Sequence, residues 1–244
     1  MNDDSQYMGA PAGQRETAPI LIVPYMWIGD FVRCHTVVRL LQSRFPASPI
    51  DVLATAMVSP LLDYMPGVRQ GIVWDLPRKR LAWSQHRGLA QRLRRERYGR
   101  VLVMPRTWKS ALAPYLAGIP ERTGFAGEVR FGLLNDMRWG ERALPRMVDR
   151  CAALALPKGA ALPADYPLPE LKVPAAEIAA WRQRYEIPAG RPIVAFAPGA
   201  VGPSKRWPAS YFAETARRLG AQGFLVLVLG GPGETALAAE IGAG

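Results

Sequence analysis

Short apolar runs alternate with amphipathic segments along the first half of the chain, and this alternation limits the possible folds more than any other feature of the sequence. The run "PILIVPY" (19–25) is almost continuously apolar, as expected of a parallel strand that is covered on both faces. Similar runs predict further strands at 49–55, 71–76 and 100–105. Such strands separated by helical segments are typical of an α/β fold.

The segments between these strands have the periodicity of amphipathic helices. In 31–45, Val37, Val38, Leu41 and Phe45 recur on one helical face. Further helices are predicted at 82–98 and 108–117. The first half is therefore predicted to be a βαβ series, a Rossmann-like open sheet.

A proline-rich stretch separates this series from a second one. The segment 157–174 has five prolines in 18 residues, which is typical of a linker or an extended crossing segment. After it, a helical segment precedes two apolar strands, in "RPIVAFAPG" and "FLVLVLGG". Two Rossmann-like halves joined in this way would place a ligand in the cleft that their carboxyl edges face.

These patterns predict four parts of the chain. They are a loose tail (1–18), a first Rossmann-like domain (19–156), a proline-rich connector (157–174) and a second Rossmann-like domain (175–244). The second domain has only two predicted strands, too few for the core of an ordinary domain of about 100–150 residues. We therefore expect the sequence to be partial at its C-terminus.

The net charge of +11 is concentrated in the first part of the chain. Residues 1–155 hold 22 basic and 13 acidic side chains, whereas 156–244 hold nine and seven. Within 78–106 there are ten basic residues and one acid, Glu96, so that either an anionic partner or a solvated helix face would explain the block. Aromatic residues do not interleave with these arginines, which argues against nucleic-acid binding.

Several classes of protein are not supported by the sequence. No run approaches the roughly 18 to 20 apolar residues of a membrane span, and the first residues lack the apolar core of a signal peptide. Cys34 and Cys151 are placed on predicted helices, and neither they nor His35 and His86 have metal-ligand spacing. We expect buried free thiols, no metal site and no cofactor.

Gly29 and Asp30 stand where the first strand passes into the first helix. The turn after the first strand of an open α/β sheet is the usual place for ligand contact, and a glycine there allows a tight turn. Asp30 is therefore either an N-cap, which stabilises a helix by roughly 0.5–2 kcal/mol, or a catalytic group. The spacing alone leaves both roles open.

Two glycine-rich loops follow the strands of the second half. "PGAVGPSKRWP" (198–208) offers backbone N–H groups and Lys205 to a phosphate, with an ordinary βα loop as the alternative. "LGGPGETA" (229–236) loosely matches the dinucleotide fingerprint through Gly231 and Gly233, but it follows the second strand of its half. The alternatives for this loop are contact between Glu234 and ribose hydroxyls, and a plain helix start.

Taken together, these stretches resemble ADP-heptose:lipopolysaccharide heptosyltransferases. The resemblance runs from about residue 19 to the end and rests on "WIGDFV", "AGIPERTGFAGEVRFGLLND" (117–136), "APGAVGPSKRWPASYFAE" (197–214) and "VLVLGGPGETALAAEI" (226–241). It implies a GT-B architecture, in which two Rossmann-like domains face each other. It also implies acceptor lipid on the N-terminal domain, ADP-heptose on the C-terminal one, and no metal in the mechanism.

The resemblance also implies roles for single residues. Asp30 matches the general base that takes the proton of the acceptor hydroxyl. Lys205 matches the lysine that holds the donor diphosphate, and Glu234 matches the acid that contacts the adenosine ribose. Ser204 is assigned to the same nucleotide site. The candidate acceptor contacts are Gly29, Arg106 and Arg122.

The sequence departs from the family pattern in three places. The loop "PGAVGPSK" is one residue shorter than the commoner form, which bears on its backbone phosphate contacts. "MPRTWKSA" replaces a frequent Pro-Asn-Ser version, so Arg106 is a candidate substrate-facing variant. The family's Asp-x-Gly-x-x-His donor motif is absent, because the chain ends before it.

With the resemblance, the sequence predicts inverting transfer of L-glycero-D-manno-heptose from its ADP form to the inner core of nascent lipopolysaccharide. The expected partners are ADP-heptose, a lipid A–Kdo–heptose acceptor and the anionic cytoplasmic face of the inner membrane, which would suit the basic first half. The alternatives are a glycosyltransferase with another nucleotide-sugar donor, an NAD(P)-binding oxidoreductase that uses Gly231 and Gly233, and a basic nucleic-acid-binding module.

Overall fold

The computed structural model describes residues 17–75, 81–200 and 202–243. The chain divides into two compact units, Met1–Val173 and Pro174–Gly244. The predicted tail lies outside the described residues, apart from its last two positions. No helix in the described ranges has the length and the apolar character needed to cross a membrane.

The first unit is built on a parallel six-stranded sheet in the order β3-β2-β1-β4-β5-β6. Its strands are β1 (Ile20–Val23), β2 (Ile50–Ala54), β3 (Gln70–Val73), β4 (Arg100–Val103), β5 (Glu121–Phe125) and β6 (Asp136–Arg138). β1 pairs with both β2 and β4, and all of its residues are buried. The predicted α/β fold with a parallel sheet is confirmed.

Helices cover both faces of this sheet. They are α1 (Ile28–Arg33), α2 (His35–Arg44), α3 (Trp83–Glu96), α4 (Trp108–Leu116) and α5 (Met147–Ala155). One core joins the sheet to α1, α2 and α5, and the other joins it to α3 and α4. β1 is apolar at every position because it is covered from both sides.

The predicted helix over 31–45 is two helices. α1 begins earlier than predicted, at Ile28, and the chain turns at Cys34 before α2. The N–H of Cys34 donates to the carbonyls of both Asp30 and Phe31 at 3.1 Å, which tightens the turn and interrupts the helix. The placement of Cys34 within a helix was therefore wrong. Its buried free thiol lies beside that of Cys151 on α5.

The sequence patterns do not predict β5 and β6. β5 has the sequence ERTGF, and β6 has only three residues, DMR, each of them half-buried. Neither strand contains an apolar run. They form because each extends the parallel pairing outward from β4, and that pairing leaves no hydrophobic pattern in the sequence.

The proline-rich segment is fastened to the first unit. Nδ1 of His35 accepts the N–H of Glu170 at 2.9 Å, so Nε2 carries the proton and donates to the carbonyl of Pro66 at 2.8 Å. Further hydrogen bonds hold the segment, and among them are those that join Thr36 to Pro167, Arg39 to Leu168, and Tyr166 to Asp149. Residues 157–173 are thus extended chain packed on the first unit, and the second unit begins one residue later.

The second unit pairs two parallel strands, β7 (Ile193–Phe196) and β8 (Leu225–Val228). Its helices in the described ranges are α6 (Ala175–Arg184), α7 (Ala209–Ala221) and α8 (Thr235–Ala243). No residue of β7 or β8 is fully buried, in contrast to β1 and β2. Both strands end at the same edge, and the two glycine-rich loops leave from it.

Candidate functional site

The candidate residues that precede the proline-rich segment are grouped mainly at the carboxyl edge of the six-stranded sheet. The strand order reverses between β1 and β4, and open α/β sheets bind ligands outside the carboxyl ends of their strands at such a switch point. Asp30 follows β1, and Arg106 follows β4. The two residues therefore leave the sheet from neighbouring strands on either side of the switch point.

Asp30 is the third residue of α1 and not its N-cap. The N-cap is Trp27, and no side chain caps this helix. The interpretation of Asp30 as a cap was therefore wrong, because the helix begins two residues before it. A carboxylate in the first turn still interacts favourably with the helix dipole. No side-chain hydrogen bond, however, caps the unpaired N–H groups at the start of this helix.

The carboxylate of Asp30 faces the surface beside one cation. Nη1 of Arg33 donates to Oδ1 of Asp30 at 2.5 Å, and 25% of the Asp30 side chain remains exposed. Gly29 lies inside α1 with a negative φ and not in a tight turn. A Cβ added to Gly29 would meet only Arg33, at 4.0 Å. The fold thus does not require a glycine there.

Arg106 is held by a buried acid. Its Nε lies 3.2 Å from Oε2 of Glu141, which is itself buried. Glu141 also acts on Tyr25, which lies in the loop after β1. Burial is the larger cause and the charge of Glu141 the second, and together they raise the pKa of Tyr25 well above its usual range, so the phenol stays neutral. Arg130, buried with 1% exposure, donates to the carbonyls of Pro105 and Phe125 and so ties together the loops after β4 and β5.

A cavity lies along the same edge, after β4, β5 and β6. We call it the arginine–tryptophan cavity, and it has a volume of about 320 Å³. Its side chains include Arg106, Arg138, Trp139 and Arg142. Arg138 is paired with Asp136 at 2.6 Å, whereas Arg142 is exposed and has no ion pair with any described carboxylate. An exposed tryptophan beside arginines is suited to a sugar that carries an acidic group.

In the second unit, the loops after β7 and β8 meet at Glu234. Oε2 of Glu234 accepts the N–H of Gly231 at 2.7 Å. The carboxylate also fills the space in which Gly199 would carry a side chain, since an added Cβ would overlap it. A side chain at position 199 would therefore displace the carboxylate of Glu234. The carboxylate lies across the ends of both strands.

Lys205 and Ser204 lie on the loop after β7. They belong to a short 3₁₀ turn, Pro203–Lys205, and both are exposed. The N–H of Lys205 donates to the carbonyl of Gly202, and Arg206 donates to the carbonyl of Ala200 at 2.9 Å, which folds the loop back on itself. No described carboxylate pairs with Lys205, so its ammonium is available to an anion. In the described ranges, no three His, Cys, Asp or Glu side chains gather as metal ligands.

The comparison with protein families decides the assignment. The model of glycosyltransferase family 9 (heptosyltransferase) matches residues 86–244. The chain belongs to glycosyltransferase family 9. Lipopolysaccharide heptosyltransferase 2 of Escherichia coli strain K12 is 41% identical over 218 residues, covering 86% of this chain and 63% of the relative. Lipooligosaccharide heptosyltransferase 2 of Haemophilus ducreyi is 35% identical, covering 91% and 66% respectively.

The fold of this family 9 chain matches that of a solved relative. The structure of ADP-heptose lipopolysaccharide heptosyltransferase II of Escherichia coli superposes with a TM-score of 0.84 at 39% identity. The match covers 92% of this chain and 68% of the solved one. The GT-B type of α/β fold found in heptosyltransferase structures is thereby confirmed. The chain spans about 63% of the length of the first curated relative.

One predicted site residue of the family 9 chain is not brought to the site. Arg122 lies near the start of β5, away from the carboxyl edge. Its guanidinium donates to the carbonyls of Leu133 and Ile119, at 2.7 and 2.5 Å, and lies over the ring of Tyr115. These contacts hold the turn before β5 and the loop before β6. They give Arg122 a structural role in this region.

Other residues at the site of the family 9 chain escape sequence reasoning. Trp139 directly precedes Gly140, whose φ of +81° turns the chain after β6, and Arg142 follows two residues after that glycine. Their arrival beside Arg106 depends on β6, which no hydrophobic pattern predicts. Glu141, between them, is a surface residue by type and is buried in the structure. The one signal in the sequence is the clustering of Arg138, Trp139 and Arg142 within five positions.

Proposed function

We propose that this protein is an inverting heptosyltransferase that transfers heptose from ADP-L-glycero-D-manno-heptose to the inner core of nascent lipopolysaccharide. The observation that carries the proposal is Asp30, a partly exposed carboxylate at the switch point of the sheet that does not cap its helix. The names of the relatives, lipopolysaccharide or lipooligosaccharide heptosyltransferase 2, support the reaction class. Membership of glycosyltransferase family 9 argues against the two alternatives from other classes, an NAD(P)-binding oxidoreductase and a nucleic-acid-binding module.

Asp30 acts as the general base in this proposal. Its carboxylate takes the proton of the acceptor hydroxyl while that oxygen attacks the anomeric carbon of the heptose. As the new carbon–oxygen bond forms, the bond to the β-phosphate breaks, and its electron pair leaves with ADP. Attack from the side opposite to the leaving group inverts the anomeric centre. Gly29, which directly precedes Asp30 on α1, is a neighbouring contact for the acceptor.

The acceptor lies along the carboxyl edge of the six-stranded sheet. Arg142 supplies positive charge there that no described carboxylate offsets, Arg106 lies beside it in its pair with Glu141, and Trp139 supplies an exposed aromatic face. Guanidinium groups pair with carboxylates and phosphates in bidentate geometry, so the arginine–tryptophan cavity suits the acidic sugars of a lipid A–Kdo–heptose acceptor. Arg122 has no part in this proposal, because it lies near the start of β5, away from the carboxyl edge.

The donor nucleotide lies at the loops of the second unit. Lys205 and Ser204 contact the diphosphate, and the ammonium stabilises the charge that develops on the departing ADP. Glu234 contacts the adenosine ribose through the carboxylate oxygen that is not held by Gly231. The proposal involves no metal and no cofactor.

The α3 arginine face docks the protein on the cytoplasmic face of the inner membrane. This face consists of the exposed residues Arg87, Arg92, Arg94 and Arg95 of α3 and of Arg97, which directly follows the helix. The buried side of α3 faces the core, so the arginines form its outer side. Three more basic residues of the predicted block, at 78–80, lie outside the described residues. Clustered arginines attract anionic lipid by about 1 kcal/mol each near the surface.

A transfer assay tests the proposed reaction. The full-length gene product is incubated with ADP-heptose and with lipopolysaccharide whose inner core carries a single heptose, and the product is weighed by mass spectrometry. We expect the acceptor to gain one heptose unit, with ADP released in equal amount. No gain with ADP-heptose, or an equal gain with another nucleotide sugar, would contradict the proposal.

A further inference from the structure

The two loops that leave the carboxyl edge of β7 and β8 hold few charged side chains. In 198–208 these are Lys205 and Arg206, and in 229–236 the one charged side chain is that of Glu234. Two cations thus stand against one carboxylate at the edge where the donor nucleotide is proposed to lie. Both phosphates of that donor are negatively charged, whereas Lys205 supplies a single positive charge. Arg206 is the other group of these loops that can meet a phosphate.

The guanidinium of Arg206 is anchored through its Nε alone. Nε donates to the carbonyl of Ala200 at 2.9 Å. Because Ala200 lies on the loop that leaves β7, this hydrogen bond holds the guanidinium beside the end of the strand. The side chain of Arg206 is exposed, and its two Nη groups donate to no residue that the structure describes. The fork formed by Nη1 and Nη2 is therefore available to a ligand.

The arginines of the second unit differ in whether a carboxylate pairs with them. Arg217 and Arg218 on α7 both pair with Glu214, at 2.8 and 2.7 Å. Arg206 forms no ion pair with any carboxylate in the part of the chain that the structure describes, although Glu234 lies on the neighbouring loop. The edge formed by the two loops therefore keeps a net positive charge, which favours an anionic ligand.

Aromatic packing fixes the chain directly after Arg206. The ring of Trp207 stacks on that of Tyr211, with 5.6 Å between the centroids, and meets the ring of Phe212 edge-on at 4.9 Å. Phe212 in turn packs against Phe196, the last residue of β7, at 5.4 Å. Arg206 therefore lies between its own hydrogen bond and a cluster of rings that is attached to the strand. A side chain that is fixed before the ligand arrives loses less conformational entropy on binding.

We propose that Arg206 is a second cation of the donor site and binds the diphosphate together with Lys205. Nη1 and Nη2 donate to phosphate oxygens in the forked geometry that guanidinium groups form with phosphates, while Nε keeps its hydrogen bond to Ala200. The ammonium of Lys205 pairs with the oxygens that the fork does not reach. This inference rests on the proposed donor site and adds a residue to it.

Calorimetric titration of ADP into the full-length protein at several salt concentrations tests this contact. Arg206→Ala should bind ADP about tenfold more weakly than the wild type at low salt, because a charge-assisted hydrogen bond is lost. The difference should shrink as the salt concentration rises, since salt screens the attraction in the wild type. Arg206→Lys should lose less affinity, because lysine keeps the charge. The control is Arg218→Ala, at an exposed arginine on α7, which should bind ADP as the wild type does.

The outcomes separate this inference from the proposed function, with thermal melting as the check on the folding of each variant. Unchanged ADP affinity in Arg206→Ala would overturn the inference, and the donor site itself would stand as long as Lys205→Ala binds ADP more weakly. A loss that does not vary with salt, or that Arg206→Lys does not recover in part, would show that Arg206 acts only by folding its loop, which equally overturns the inference. If the wild type does not bind ADP, the inference and the proposed donor site both fail.

Discussion

Nη1 of Arg33 lies 2.5 Å from Oδ1 of Asp30, in an ion pair between residues one turn apart on α1. Half of the Arg33 side chain is exposed, and exposed pairs of this kind contribute only about 0–1 kcal/mol. No other described residue hydrogen-bonds to the Asp30 carboxylate. The pair therefore positions the carboxylate and costs little to open, as the proposed role of Asp30 requires.

Gly199→Ala should disturb the donor site through Glu234. The new Cβ would overlap the carboxylate and displace it, and the N–H of Gly231 would lose its acceptor. We expect ADP affinity to fall by about as much as it falls in Glu234→Ala. The double variant should then be no worse than either single one, because both changes remove the same contact. Calorimetric titration of ADP measures this, and additive losses would show that Gly199 and Glu234 act separately.

Lys205→Ala should weaken ADP binding about tenfold or more, because a charge-assisted hydrogen bond contributes roughly 1.5–3 kcal/mol. Lys205→Arg should lose less, since arginine keeps the charge and changes its geometry. Lys172→Ala, which removes an exposed lysine of the first unit, serves as the control. Equal affinity for ADP in all of these proteins would remove Lys205 from the donor site.

The predictability of the fold follows from where each element is buried. β1 and β2 are apolar at nearly every position because helices cover both faces, so their runs are visible in the sequence. β5 and β6 are polar or short and exist only as extensions of the sheet. The break at Cys34 was not predictable either, because it depends on a local hydrogen-bond pattern within a continuous amphipathic segment.

The site was predictable where a motif carries it. The positions of Asp30, Lys205 and Glu234 after strands follow from the strand–turn–helix pattern. Trp139 and Arg142 lie at the carboxyl edge because they follow β6, and no hydrophobic pattern in the sequence predicts β6. The buried Nδ1 of His86, which has no described hydrogen-bond partner, likewise results from tertiary packing that the sequence does not show.

The α3 arginine face should bind anionic membranes without affecting the chemistry. Reversing Arg92 and Arg95 to glutamate should reduce co-sedimentation with anionic liposomes, and the difference should shrink as salt rises. Reversing Arg182 and Arg184 on α6 gives the same charge change and should have a smaller effect. The rate of transfer to a soluble, delipidated acceptor should stay within about twofold of the wild-type rate. Loss of that activity would place these arginines in the acceptor site instead.

Stability should fall as the pH drops below about 6.5, the usual pKa of histidine. Burial lowers the pKa of His35, whose neutral ring bridges Glu170 and Pro66. A depressed folded-state pKa contributes stability that is complete above the unfolded pKa and is lost as the pH falls through the folded one. The advantage in melting temperature of the wild type over His35→Gln should therefore shrink between pH 7.5 and 5. A constant advantage over this range would contradict the role of the neutral ring.

The most direct test of the central claim is the transfer rate of Asp30→Asn in the full-length protein. Asparagine preserves the shape of the side chain and cannot accept the proton, so we expect an unchanged melting temperature, unchanged ADP affinity and a loss of at least about 100-fold in kcat. Asp63→Asn, at an exposed aspartate on the 3₁₀ segment Ser59–Tyr64, should keep full activity. If Asp30→Asn transfers heptose within a few-fold of the wild-type rate, Asp30 is not the base.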